Sequence, residues 1–201
     1  MIEDTSQDPT GIPSAKPVNR PTAPRQAALR RVVVQLEEHA ASSGWDAPVG
    51  VFALVRTAAA LQEDPMLERM LDAAALAEAR TDPEALTAIE QGDLPPVYSL
   101  EELLAGIVWP EEVDGTAIST ERMLLPDEAE REAAAIRDPQ KRSAYLASRP
   151  DRDDVRIVVG VLRSGESWCA LRTRSHDSAD AVVVGENLVP GLVEALRNTL
   201  Q

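Results

Sequence analysis

The sequence predicts an α+β fold: a mainly antiparallel sheet with helices packed on one face, then a C-terminal hairpin and a terminal helix. Three observations point there. Helices and strands do not alternate one for one, which disfavours a doubly wound parallel sheet. Residues 155–175 (VRIVVGVLRSGESWCALRTRS) set two β-rich runs around Ser164-Gly165, a hairpin signal. Beyond them Leu188, Leu192, Val193, Leu196 and Leu200 share one side of a helix opened by Asn187.

The elements follow in chain order. Residues 1–24 carry Pro9, Pro13, Pro17, Pro21 and Pro24 with almost no large apolar side chains. Such a segment cannot bury enough surface to offset its ordering entropy, so a disordered tail is expected ahead of a single domain over 25–201. Leu29, Val33, Leu36 and Ala40 fall on one face of a helix over 25–42. Gly44 suits its left-handed stop, with Trp45 folding back onto the apolar face. Residues 49–56 (VGVFALVR) read as a buried strand. From 57 to 104 the reading is helical and punctuated. Asp64-Pro65 and Asp82-Pro83 each place a capping carboxylate before a proline, and Ser99-Leu100-Glu101-Glu102 is a capping box. Residues 116–125 read as a strand and 127–148 as helix interrupted at Asp138-Pro139. A two-residue turn at Ser164-Gly165 sets Arg163 opposite Glu166, Val161 opposite Trp168, Gly160 opposite Cys169 and Ile157 opposite Arg172. Residues 181–184 add a short strand, whose edge is the place where pairing with a partner is physically easiest.

The net charge of −14 is concentrated in one block. Residues 60–140 hold 20 Asp and Glu against five Arg, while the flanking regions nearly balance. Nucleic acid is excluded as a partner, because such binding rests on cations meeting phosphates. The block reads as solvated helix faces. No apolar run suggests membrane insertion. The first residues, Met1-Ile2-Glu3-Asp4, lack the basic and apolar parts of a secretory signal, so a cytoplasmic location is expected.

Little points to chemistry. P-loop, dinucleotide, HExxH, EF-hand and GxSxG patterns do not occur, and no cofactor or metal is expected. By the period-two rule Trp168, Ala170, Arg172, Arg174 and His176 share one strand face. Arg172, Arg174 and His176 are therefore the candidate binding site, since two guanidinium forks beside an imidazole suit a carboxylate or phosphate. The competing and preferred reading pairs Arg172 and Arg174 with the acidic helices of residues 60–140, or leaves them bordering solvent beyond the core. A second candidate is His176-Asp177 with Asp180, an imidazole beside a carboxylate; because sequence neighbours on an Asp- and Ser-rich loop rarely face each other productively, a solvated turn is the preferred reading. Cys169, in mid-strand beside Trp168, reads as a buried, inert thiol. No catalytic residue is assigned.

Several stretches look familiar together: Leu36-Glu37-Glu38-His39 with Gly44-Trp45-Asp46 and Val51-Phe52-Ala53-Leu54-Val55; Ile107-Val108-Trp109-Pro110; and Val158–Arg163 with Trp168–Arg172, Arg174-Ser175-His176-Asp177 and Leu188-Val189-Pro190-Gly191-Leu192. They resemble a family of uncharacterised small actinobacterial cytosolic proteins over roughly residues 25–201. That family has no assigned activity, so the resemblance implies a bacterial cytosolic protein and no site residues. The expected function is a non-catalytic protein-interaction or adaptor role, with another protein as partner. The alternative is a small-anion-binding protein or enzyme using Arg172, Arg174 and His176.

Overall fold

The computed structural model describes residues 23–92, 94–95 and 99–201. The tail expected over 1–24 lies outside these residues except for its last two. Pro24 opens α1 (Pro24–Ser42), at the first-turn position where its missing N–H costs nothing. Gly44 follows with φ +83°, the left-handed stop expected. The chain then runs through β1 (Gly50–Arg56), α2 (Thr57–Glu63), a 3-10 turn at Pro65–Arg69 and α3 (Ala73–Thr81). Next come β2 (Leu86–Glu90), α4 (Leu100–Ala105), β3 (Gly115–Leu124), α5 (Asp127–Ala134) and α6 (Pro139–Ala147). It ends with β4 (Asp153–Leu162), β5 (Ser167–Thr173), two more 3-10 turns, β6 (Val183–Gly185) and α7 (Pro190–Asn198).

The six strands of the described residues form one open antiparallel sheet in the order β2-β1-β3-β4-β5-β6. The α+β class holds, with the terminal helix in place. The helices, however, occupy both faces. Leu29, Val32, Val33 and Leu36 of α1 cover Phe52, Leu54, Val158 and Ala170 on one side. Leu103 and Leu104 of α4 and Val193 and Leu196 of α7 cover Val51, Ile118, Ile157 and Val159 on the other. The reason is visible in β4, where every residue from Val155 to Leu162 is buried. A central strand apolar on both sides requires a layer on each. Full burial of a side chain such as Leu29 or Leu196 contributes about 1.5–3 kcal/mol. Gly160 lets α1 settle on β4: a Cβ there would lie 2.7 Å from Val33 Cγ2 and 2.9 Å from Leu29 Cδ1.

Three local expectations change. The region 57–104 contains a strand, β2, because Asp82 closes α3 and its side chain then accepts from Glu84 N–H, turning the chain. The final helix begins at Pro190, leaving Leu188 41% exposed outside it. The hairpin, finally, has three loop residues, not two. Leu162 N–H donates to Glu166 O at 3.0 Å and Gly165 N–H to Leu162 O at 2.9 Å, with Gly165 at φ +107°. One extra loop residue slips the register by one. Trp168 now faces Gly160, Cys169 faces Val159, Leu171 faces Ile157, and Arg172 faces Arg156. Arg163 leaves Glu166 and donates instead to the carbonyls of Val113, Trp109, Pro110 and Leu200, tying the 109–113 loop to the C-terminus. Among the described residues no helix is long and apolar enough to cross a membrane.

Candidate functional site

The slipped register puts two guanidinium groups directly across from each other on the α1 face of the sheet, an arrangement destabilising by itself. Carboxylates and an indole resolve it. Arg172 binds Glu37 of α1 in a two-pronged pair, Nε to Oε1 at 2.6 Å and Nη2 to Oε2 at 2.8 Å. Their side chains are 7% and 2% exposed, so this pair is desolvated. Arg172 Nη1 also reaches Asp177 Oδ1 at 3.3 Å. These bonds, Glu37's first, raise the pKa of Arg172 above its usual value and hold the charge in place.

Arg156 has 1% of its side chain exposed. It donates to Glu121 Oε1 at 2.8 Å and to the Gly44 carbonyl, while its guanidinium carbon sits 4.4 Å from the Trp45 ring centre. Arg174 stacks against the same ring at 5.0 Å, donates to Asp46 Oδ2 at 2.8 Å and meets Asp154 Oδ2 at 3.2 Å. Its charge is likewise reinforced, chiefly by Asp46. Trp45 is thus shared between two cations, and its Nε1–H donates to Asp177 Oδ2 at 2.9 Å. That bond, followed by those from Arg172, holds the Asp177 carboxyl below the usual carboxylate range. Arg156 Nη1 and Arg174 Nε are buried with no hydrogen-bond partner among the described residues, and both guanidinium groups lie over the electron-rich ring face. The loop carrying Trp45 bends through two left-handed residues, Gly44 and Asp46, the latter at φ +65°.

The three predicted binding residues do not share one strand face, although Arg172 and Arg174 stay linked through Asp177 and Trp45. Arg172 ends the run on the α1 face, whereas Arg174 and His176 belong to a 3-10 turn just beyond β5. His176 Nδ1 meets Ser175 Oγ at 2.9 Å, and Ser175 Oγ donates to Asp153. The Ser175 bonds keep the Asp153 carboxyl low. Asp177 turns from His176 toward Trp45 and Arg172. Among the described residues the ion-pair partners of Arg172 and Arg174 are Glu37, Asp177, Asp46 and Asp154, none of them from residues 60–140. Trp45 packs on cations and not on the apolar face of α1. Cys169 is fully buried between the layers. Among the described residues no group of three or more His, Cys, Asp and Glu is arranged to hold a metal ion.

Glu37 carried a readable signal, lying four residues after Val33 on the inward side of α1. The Trp45 stack had none, since it depends on the register of a distant hairpin.

Fold and site define a small α+β protein whose most conspicuous charges are spent on joining a helix, a loop and a sheet. The model of the PPA1309-like protein family matches residues 29–201, and the chain belongs to that family. No curated protein and no solved structure matches it.

Proposed function

We propose that this chain is a non-catalytic, cytosolic protein-interaction or adaptor protein of an actinobacterial cell, holding another protein at an edge of its sheet. The observation that carries the reading is the open sheet itself, which ends in β2 on one side and β6 on the other. Unpaired backbone donors and acceptors at such edges are templates for a further strand. The internal pairing of Arg172 and Arg174 adds support, since an anion arriving there would have to displace Glu37 or Asp46. Nucleic acid is not the expected partner, given the net charge of −14.

Affinity capture with the full-length chain, followed by cross-linking to locate the contact, tests the reading. The expected result is a protein partner cross-linked near a sheet edge, with capture unchanged in Arg174→Ala. Recovery of no protein above background, with a co-purifying metabolite instead, overturns it. So does loss of capture in a folded Arg174→Ala variant, which would move function to the charged cluster.

A further inference from the structure

The β2 edge has more to offer than an empty row of amides. Gln91 N–H donates to Val51 O at 2.8 Å and Thr57 N–H to Ala85 O at 2.9 Å. By the antiparallel alternation, the odd-numbered residues of β2 therefore bond to β1. The N–H and C=O groups of Leu86, Ala88 and Glu90 point outward, and among the described residues nothing meets them. With five residues and no proline, β2 is the longer of the two edges; β6 has three.

An open groove of about 410 Å³ runs beside this edge on the α4 face. Val51, Ala53 and Val55 of β1 floor it, and Trp109 stands on its far wall. Ile89 and Val108 stand at its mouth, 43% and 84% exposed. The surroundings are anionic. Between Arg80 and Arg122 the sequence has ten Asp and Glu and no Lys or Arg. Glu90, at one end of β2, and Glu111 and Glu112, near the other, are exposed and pair with no cation among the described residues. The nearby cations Arg25, Arg56 and Arg163 are each already held: Arg25 by Glu84, Arg56 by Asp114, and Arg163 by the carbonyls of Val113, Trp109, Pro110 and Leu200.

We propose that the β2 edge and its groove receive an extended cationic segment of another protein. Its backbone adds a strand to β2, alternate apolar side chains enter the groove, and its Lys or Arg side chains meet Glu90, Glu111 and Glu112. The proposal rests on the protein-interaction reading and names the surface and the chemistry of the partner. A second copy of this chain does not suit, because a two-fold contact would face these carboxylates with their own kind.

The probe is a short fluorescent peptide alternating Val and Lys, titrated against the full-length protein by anisotropy. Peptides alternating Ser with Lys and Val with Glu are the controls. The expected result is binding of the Val–Lys peptide alone, weakened by salt, with slowed amide exchange at Leu86, Ala88 and Glu90. Glu90→Lys combined with Glu111→Lys and Glu112→Lys lowers affinity about tenfold or more. Val108→Asp lowers it severalfold. All four positions are exposed, so unchanged urea midpoints keep these variants interpretable. Absence of Val–Lys binding, equal binding of the Ser–Lys peptide, or indifference to the variants overturns the proposal. Protection at Val183–Gly185 in place of β2 overturns this assignment and leaves the interaction reading standing. The interaction reading itself fails separately, when no protein cross-links to any surface of the chain.

Discussion

Removing the Arg172 guanidinium leaves the Glu37 carboxylate, 2% exposed, without its ion-pair partner under the sheet. Stranding one partner of a buried pair costs about 3–5 kcal/mol, and Arg172→Met is expected in that range. For a chain of this size each kcal/mol moves Tm by roughly 2–4 °C, so the variant melts about 6–20 °C lower. Glu37→Leu costs less than Arg172→Met. The guanidinium left behind keeps Asp177 at 3.3 Å, a carboxylate with 45% of its side chain exposed, although it also faces Arg156 across the strands. The double variant Glu37→Leu/Arg172→Met removes both charges and fills the space with apolar atoms. It is expected near wild-type stability, well above the sum of the single losses. Urea unfolding at neutral pH, followed by tryptophan fluorescence, measures all four corners of the cycle. An Arg172→Met change below about 0.5 kcal/mol, the scale of ordinary surface substitutions, refutes the reasoning. Strict additivity in the double variant does so as well.

The remaining expectations concern the sheet and the Trp45 loop. Gly160→Ala pushes a Cβ against the fully buried Val33 and Leu29, and should cost about 1–3 kcal/mol by the same unfolding assay. A stability equal to wild type would mean that α1 moves freely on β4. Trp45→Ala removes the face shared by Arg156 and Arg174 and loses about 1–2 kcal/mol, whereas Trp45→Phe keeps the stack and loses less; equal losses would assign the effect to the indole N–H. The carboxyls of Asp153 and Asp177 are held low, so their contribution is fully present above the ordinary carboxylate range. It disappears as pH falls through their depressed values. The difference in urea midpoint between wild type and Asp177→Asn should therefore be constant from pH 8 to about pH 5 and close only in more acid solution. A difference that closes between pH 8 and 6 would point to another group.

Much of the architecture was legible locally. The apolar spacing of α1, the left-handed Gly44, the serine cap at Ser99 and the proline break at Asp138-Pro139 all lie where short-range rules place them. β2 was not legible. Leu86, Ala88 and Ile89 lie among helix-forming neighbours, and only pairing with β1 makes that stretch a strand. The candidate site shows the same division. Arg172 and Arg174 were visible as a pair on a β-rich run, yet their partners come from α1, the Trp45 loop and the start of β4, up to 135 residues away in sequence.

By itself the amino-acid sequence determined the α+β class, most of the elements and their caps, and the concentration of negative charge in the middle of the chain. Each depends on periodicity, turn chemistry or composition within a few residues. Tertiary structure alone decided the hairpin register, the two-sided layering and the fate of the arginines. A loop of three residues in place of two leaves almost no trace in the sequence, but it changes which side chains face each other along β4 and β5. That shift carried Arg172 opposite Arg156 and under Glu37, where desolvation turns a pair of surface-looking cations into part of the core.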